Sequence, residues 1–428
     1  MSRPTIPRAV AHTDSSTRTA LISAWGLFAG LALLMIGNGL LGVLVGVRSE
    51  LEGFNTTVTG VVLAAYFVGF LGGTQVTPRF MARVGHIRVF SGLAAAAAAT
   101  ALLHGLAVSA LSWALLRLVF GFAMAGLYVV VESWLNELVS NANRGRVMAV
   151  YMLVSVGGLG LGQMMISLGD PLLNTLFIVA GTLMVLAIVP VSLSINAAPP
   201  FQLPPHAQYG ELWRRAPLGV VTAVGSGMAN GAIIAMASVF ATQAGLSPVR
   251  IGLFVGVAAI GSMVLQWPIG HLSDRIGRRR TIILSSLGSL VAGIVALGLD
   301  PDSLALVGVM FVLGGLSYPL YSLALSHVVD VLPPGEAVTG SVAVVFLYGV
   351  GAIAGPIGAS LAMDAFGPEG FFWSIATVYL AIGAYGVARV VGRPVIDKTV
   401  EPWLPIPARS TFVLRRNGRR RGRSTDSL

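Results

Sequence analysis

Long apolar stretches, each about as long as a bilayer crossing, alternate along this chain with short polar breaks. A helix needs about 20 apolar residues to cross roughly 30 Å of hydrocarbon. Twelve stretches qualify, at about 20–46, 57–78, 87–108, 110–133, 146–168, 172–195, 217–242, 250–272, 281–299, 303–326, 338–362 and 370–391. None shows the period-two alternation of a barrel strand, so all twelve read as helices. Breaks of a few residues, such as Asp170-Pro171 and Asp300-Pro301-Asp302, force neighbouring spans to run antiparallel. The predicted class is an all-α membrane protein with twelve transmembrane helices.

Composition sharpens this picture. Of 428 residues, 55% are hydrophobic and only 10% are charged, against about 25% charged in soluble proteins. A soluble enzyme and a disordered chain are both excluded. There is no cysteine, hence no disulfide frame, thiolate metal site or Cys nucleophile. The first apolar run exceeds the roughly 7–15 residues of a secretion-signal core, so it is expected to stay uncleaved.

Charge sets the expected orientation. Of 27 Lys and Arg residues, 24 fall on one side of the twelve-span topology and two, Arg48 and Arg250, on the other; Arg117 is inside a span. Both termini are therefore expected in the cytoplasm. The loop after span 10 has no Lys or Arg and is the exception. The net charge of +10 reads as topological rather than as a nucleic-acid footprint. The basic run at 415–423 is expected to meet anionic lipid headgroups.

The chain repeats itself. Asn38-Gly39 of span 1 maps onto Asn230-Gly231 of span 7, and Arg83, Gly85 and Arg88 map onto Arg275, Gly277 and Arg280, all at an offset of 192. An even number of spans per repeat keeps orientation, so two parallel six-helix repeats are expected. The domains follow: an amino tail at 1–19, a six-helix bundle at 20–195, a Pro-rich extended linker at 196–216, a second bundle at 217–392 and a basic tail at 393–428.

Specific motifs accompany this architecture. After span 8 the chain reads Gly270-His-Leu-Ser-Asp274-Arg275-Ile-Gly277-Arg278-Arg279-Arg280. This resembles the major facilitator signature G-x-x-x-D-[RK]-x-G-x-[RK]-[RK] at every defined position. Arg117-Leu-Val-Phe-Gly121 is similar to the R-x-x-x-G pattern of span 4, and Gly351-Ala-Ile-Ala-Gly355-Pro356 to the glycine-proline motif of span 11. Gly37-Asn38-Gly39-Leu-Leu-Gly42, Gly126 to Glu137, Asn143-Arg144-Gly145-Arg146 and Leu265-Gln266-Trp267-Pro268-Ile-Gly270 resemble the YcaD-like branch of that superfamily. The resemblance covers nearly the whole chain and implies a bacterial inner-membrane transporter. One departure stands out: after span 2, Pro78 replaces the signature Gly and Ala82 the Asp.

A charge in the bilayer core costs at least about 2.5–3.5 kcal/mol, so it usually faces the bundle interior and serves a function. Arg117, Gly121, Ala125, Tyr128 and Glu132 step by three or four and share one helical face of span 4. They are expected to line a pathway, with Arg117 binding an anionic group and Glu132 carrying a proton. The alternatives are that Arg117 ties spans through backbone carbonyls and that Glu132 pairs with a loop Arg. Asn38 and Asn230 are expected to contact substrate as a pair, or to bond helices together. Gln266 and Tyr348, with Tyr66, Tyr318 and Tyr321, are further candidate liners. His104, His271 and His327 read as interfacial, and the Gly run at 157, 158, 160 and 162 as helix packing.

The resemblance places the ends of spans 2, 4, 8 and 10 near one another at the cytoplasmic face. Under the 192 offset, Asp274 corresponds to Ala82 and Glu336 to Arg144. A charge-swapped gate is expected, Asp274 meeting Arg144 or Arg146 and Glu336 meeting Arg83 or Arg79, with Arg275 beside them. Each such pair contributes about 0–1 kcal/mol at a wet surface, enough to bias two conformations and too little to lock one.

The expected function is secondary active transport of a small organic solute by alternating access, coupled to protons. The alternatives are a passive facilitator, or a sensor or lipid-handling protein of the same shape. No nucleotide loop of the G-x-x-x-x-G-K-[ST] type occurs, so a proton gradient rather than ATP is the expected drive. No cofactor, metal or enzymatic constellation is expected. The expected partners are a small-molecule substrate and membrane lipids, with no nucleic acid, and the chain is expected to be a monomer.

Overall fold

The computed structural model describes residues 24–138, 144–193, 209–333 and 336–392. The two tails and most of the linker lie outside them. Among the described residues no strand occurs, and twelve helices are long and apolar enough to cross a membrane. Spans 1 to 6 are Trp25–Leu51, Thr56–Val84, His86–Leu106, Ala110–Asn136, Gly145–Leu168 and Thr175–Ser192. Spans 7 to 12 are Pro217–Gln243, Pro248–Ile276, Arg278–Ala296, Leu304–Val331, Ala337–Phe366 and Gly370–Arg389. An even number of antiparallel crossings returns both ends of the bundle to one side, called here the terminal face. The Pro-rich stretch at 197–205, expected to be extended, lies outside the described residues; after it, Tyr209–Arg215 is a helix that leads into span 7.

The two halves share their turn chemistry. Span 2 is capped by the Asn55 side chain, which accepts from the Thr57 amide, and span 8 by Ser247, which accepts from the Arg250 amide. Gly53 and Gly245 both adopt a φ of +74°, and Gly85 and Gly277 adopt +83° and +92°. These are backbone conformations that a side chain would strain. Each pair is 192 residues apart.

Packing repeats as well, and corrects the offset. A Cβ on Gly69 would strike the backbone of Leu118, and one on Gly121 that of Tyr66. In the second half Gly261 meets Phe311 and Gly314 meets Ala258 in the same way. Spans 1 and 2 thus map by 192, whereas spans 4 and 5 map by 193. Span 5 confirms it: Gly158 and Gly162 abut Ala32 and Ile36, while Gly351 and Gly355 abut Val224 and Met228. Arg144 therefore corresponds to Ala337, not to Glu336, and the expected symmetry of that charge swap does not hold. Without a hydrophobic drive between helices in lipid, such glycine contacts let backbones approach and gain dispersion energy.

The halves meet along spans 1 and 7, 2 and 11, and 5 and 8. Close contacts across this seam gather toward the face opposite the termini. There Gly46 packs on Ser238, Gly60 on Ser360 and Gly252 on Met164. Gln243 donates to Glu50 and to Thr56, each at 3.0 Å, and Thr57 bonds Asp364.

Candidate functional site

A small cavity of about 40 Å³ opens in the seam between spans 1, 2, 4, 5 and 7. That volume takes a few water-sized groups. Asn38 and Gly42 of span 1, Tyr66 of span 2, Arg117 of span 4 and Gln163 of span 5 line one wall; Ile234 and Ala235 of span 7 line the other. Span 1 reaches this position because Gly39, next to Asn38, has no side chain to strike the backbone of Leu159 and Gln163.

Arg117 is 3% exposed. Its Nη2 donates to the carbonyls of Leu41 and Gly42 at 3.3 and 3.4 Å. Its guanidinium carbon lies 6.0 Å from the Tyr66 ring centre and 5.9 Å from that of Phe120. Both readings of this residue meet here, since it ties span 4 to span 1 and also faces the cavity. Its Nε has no partner, nor do Asn38 Nδ2 and Gln163 Oε1, although all three are buried. Among the described residues no carboxylate pairs with Arg117.

Glu132 lies four turns further along span 4, toward the terminal face, and is buried. Tyr151 of span 5 donates its hydroxyl to Glu132 Oε1 at 2.7 Å. Tyr321 of span 10, in the other half, is fully buried. Tyr321 packs edge-on against Tyr348 of span 11 at 4.8 Å between ring centres. Tyr128 bonds the Met35 sulfur at 3.0 Å.

The span 4 stripe does not line a pathway along its whole length. Its middle is a packing seam, because Gly121 abuts Tyr66 and Ala125 abuts Gly73, both of span 2. At its ends, Arg117 lines the cavity between the halves and Glu132 meets Tyr151 of span 5. The two asparagines also part company. Asn38 faces the cavity, whereas Asn230 is fully buried and accepts from Ser317, which in turn bonds Tyr379. This cluster sits where Pro319 interrupts span 10, so Asn230 braces a broken helix. Gln266 is buried in span 8 outside the cavity. His104 and His327 lie near the ends of spans 3 and 10 and are packed inside the protein. His104 packs between Trp113 and Phe177 and receives the indole N–H of Trp113 on its carbonyl.

At the terminal face, Asp274 binds Arg278 at 2.6 Å, and Arg278 binds Asp330 at 3.3 Å. Glu336 binds Arg215 at 3.2 Å. The first two pairs lie within the second half, and the third joins it to the linker helix. Arg83, Arg146 and Arg275 are exposed, and the Arg144 side chain lies outside the description. Sequence reasoning missed Tyr151, which bonds Glu132, and Gln163, which lines the cavity. Both are polar residues inside an apolar span, which was the available signal.

The sequence matches the Major Facilitator Superfamily over residues 27–356 and 219–418. The chain belongs to this family. An MFS-type transporter of Enterobacter sp. (strain 638) is 30% identical over 360 residues, covering 82% of this chain and 92% of that protein. The MFS-type transporter YcaD of Escherichia coli is 30% identical over 355 residues with the same coverage. Among solved structures, the nucleoside transporter NupG superposes with a TM-score of 0.69 at 14% identity, covering 88% of this chain and 98% of that one. A bacterial homologue of the human lysosomal transporter Spinster, inward-facing and unoccupied, gives 0.67 at 16%, covering 87% and 96%. The chain is a multi-pass membrane transporter.

Proposed function

We propose that this transporter is a secondary active carrier of a small organic solute in the bacterial inner membrane, with its termini in the cytoplasm. The solute passes between the halves, and the halves rock about the seam. The observation that carries this reading is the placement of cross-half contacts. They gather at the face opposite the termini. The structure described is accordingly the form closed to the outside.

Glu132 is the coupling group in this reading. It is a buried carboxyl inside a membrane span, held by the Tyr151 hydroxyl. Protonation there removes a charge that is costly to bury in a membrane span. In the outward-open form the Asp274 segment approaches Arg144 and Arg146, and Glu336 approaches Arg83, closing the cytoplasmic face. Flux of a solute into liposomes, measured with and without an inward proton gradient, tests the reading. Accumulation only with the gradient supports a coupled carrier. Equal rates to equilibrium in both conditions indicate a passive facilitator, and no flux for any solute that binds indicates a sensor.

A further inference from the structure

We infer that the Arg117 cavity is a carboxylate subsite, so that the solute is an organic anion with one carboxylate and an apolar body. This rests on the transporter reading above and names the substrate class for it.

The cavity holds a charge without a counter-charge. Arg117 is buried in an apolar bundle and, among the described residues, has two long bonds to backbone carbonyls and no acidic partner. An uncompensated buried cation is unfavourable, and an anion entering the cavity relieves that penalty. Hydrogen-bonding capacity is left over in the same place. The Arg117 Nε–H and an Asn38 amide N–H are buried donors without acceptors, and both residues line the cavity. Two such donors lining one cavity, one of them cationic, suit the two oxygens of a carboxylate. Gln163 completes the rim with an amide whose oxygen is also unpartnered. The assignment of amide O and N follows the network, so Gln163 turns its NH2 toward an anion when one is present.

Size and lining set the rest. About 40 Å³ admits a headgroup, not a whole solute. The groups next to the polar wall are Leu63, Phe67 and Ile234, which suit a hydrocarbon or aromatic body. Ile234 belongs to span 7, so a carboxylate held by the first half brings its carbon skeleton against the second. A bound solute thereby touches both moving parts.

The experiment uses the purified full-length chain in detergent, with melting temperature and calorimetric affinity as readouts. The probes are benzoate and octanoate, their neutral counterparts benzamide and octanamide, and sodium chloride at matched ionic strength. Saturable stabilisation by the carboxylates is expected, with the amides and chloride at least about tenfold weaker. Arg117→Gln is expected to remove the preference for carboxylate over amide. Asn38→Ala deletes an amide with no partner in the protein, so it leaves folding intact, and it is expected to weaken carboxylate binding by about three- to tenfold. Equal binding of amide and carboxylate to the unaltered protein, or an Asn38→Ala variant with unchanged affinity, would overturn the subsite. Chloride binding as tightly as benzoate would also overturn it. The transporter reading fails separately: carboxylates that bind here but are not carried into liposomes leave the subsite standing, whereas carriage of a neutral solute unaffected by Arg117→Gln leaves transport standing without it.

Discussion

Arg117 and Met310 occupy the same place in the two halves of the molecule. Each lies four residues before a glycine, Gly121 or Gly314, whose missing Cβ admits the backbone of the facing span at Tyr66 or Ala258. Both side chains are buried. The fold accepts an apolar residue at this position in one half and carries a guanidinium in the other. The charge is therefore not a packing requirement.

Arg117→Met copies the second half into the first and separates the two roles of this residue. The melting temperature is expected to stay level or rise. The two carbonyl bonds lost are long, and the isolated charge removed costs about 2.5–3.5 kcal/mol to place at a bilayer centre. Solute flux is expected to collapse in the same variant. A large fall in melting temperature would instead assign Arg117 to holding spans 1 and 4 together.

Gly39→Ala drives a methyl group into the backbone of Leu159 and Gln163, and Gly231→Ala does the same at Ala352. Neither neighbour is the tip of a flexible side chain, so each substitution is expected to destabilise by about 1–3 kcal/mol. Gly358→Ala is the control, because nothing stands within 4 Å of its would-be Cβ. Thermal unfolding of the three variants is expected to separate the first two from the third.

Glu132→Gln keeps the hydrogen bond from Tyr151 and removes the titrating group. If Glu132 carries the proton, flux driven by a pH gradient is expected to fall to the rate seen without a gradient, while solute affinity stays within about threefold. Tyr151→Phe leaves the carboxyl in place and is expected to have the smaller effect. Gradient-driven accumulation that survives Glu132→Gln would move the coupling role elsewhere.

The proposed closure of the cytoplasmic face predicts a compensating pair. Arg146→Asp alone is expected to shift labelling of the terminal face toward the open form, by a few-fold at most because the pairs are wet. Adding Asp274→Arg is expected to restore the balance. Because the chain has no cysteine, a single Cys introduced at the seam reports accessibility without background. A double variant no closer to the unaltered protein than Arg146→Asp alone would count against the pairing.

The spans and their like-facing repeat were legible in the sequence because hydropathy, turn glycines and helix caps are local signals. Gly85 and Gly277, like Asn38-Gly39 and Asn230-Gly231, show the repeat before any tertiary contact is known. The site was half legible. Arg117 and Glu132 stood out because charge in lipid is rare, and Tyr321 and Tyr348 were among the aromatic candidates. The sequence could not separate Asn38 from Asn230, which share a motif and a depth. Their roles differ because of what surrounds them: Ser317, itself bonded to Tyr379, donates to the Asn230 amide oxygen, whereas the Asn38 side chain lines the cavity. The charge swap at Glu336 was misplaced by one residue because an offset exact in spans 1 and 2 was carried past the point where it changes. Such shifts surface only in interhelical contacts like Gly162 on Ile36 and Gly355 on Met228.

Rocking of two halves about this seam is tested most directly by cross-linking the closed side. Thr57 and Asp364 bond across it in the form described, so Thr57→Cys with Asp364→Cys places two thiols at a joint that must part on every cycle. Oxidation is expected to form the disulfide in membranes and to stop solute flux, and reduction is expected to restore it. A fully cross-linked protein that still transports at the reduced rate constant would show that the halves do not separate there, and alternating access about this seam would be wrong.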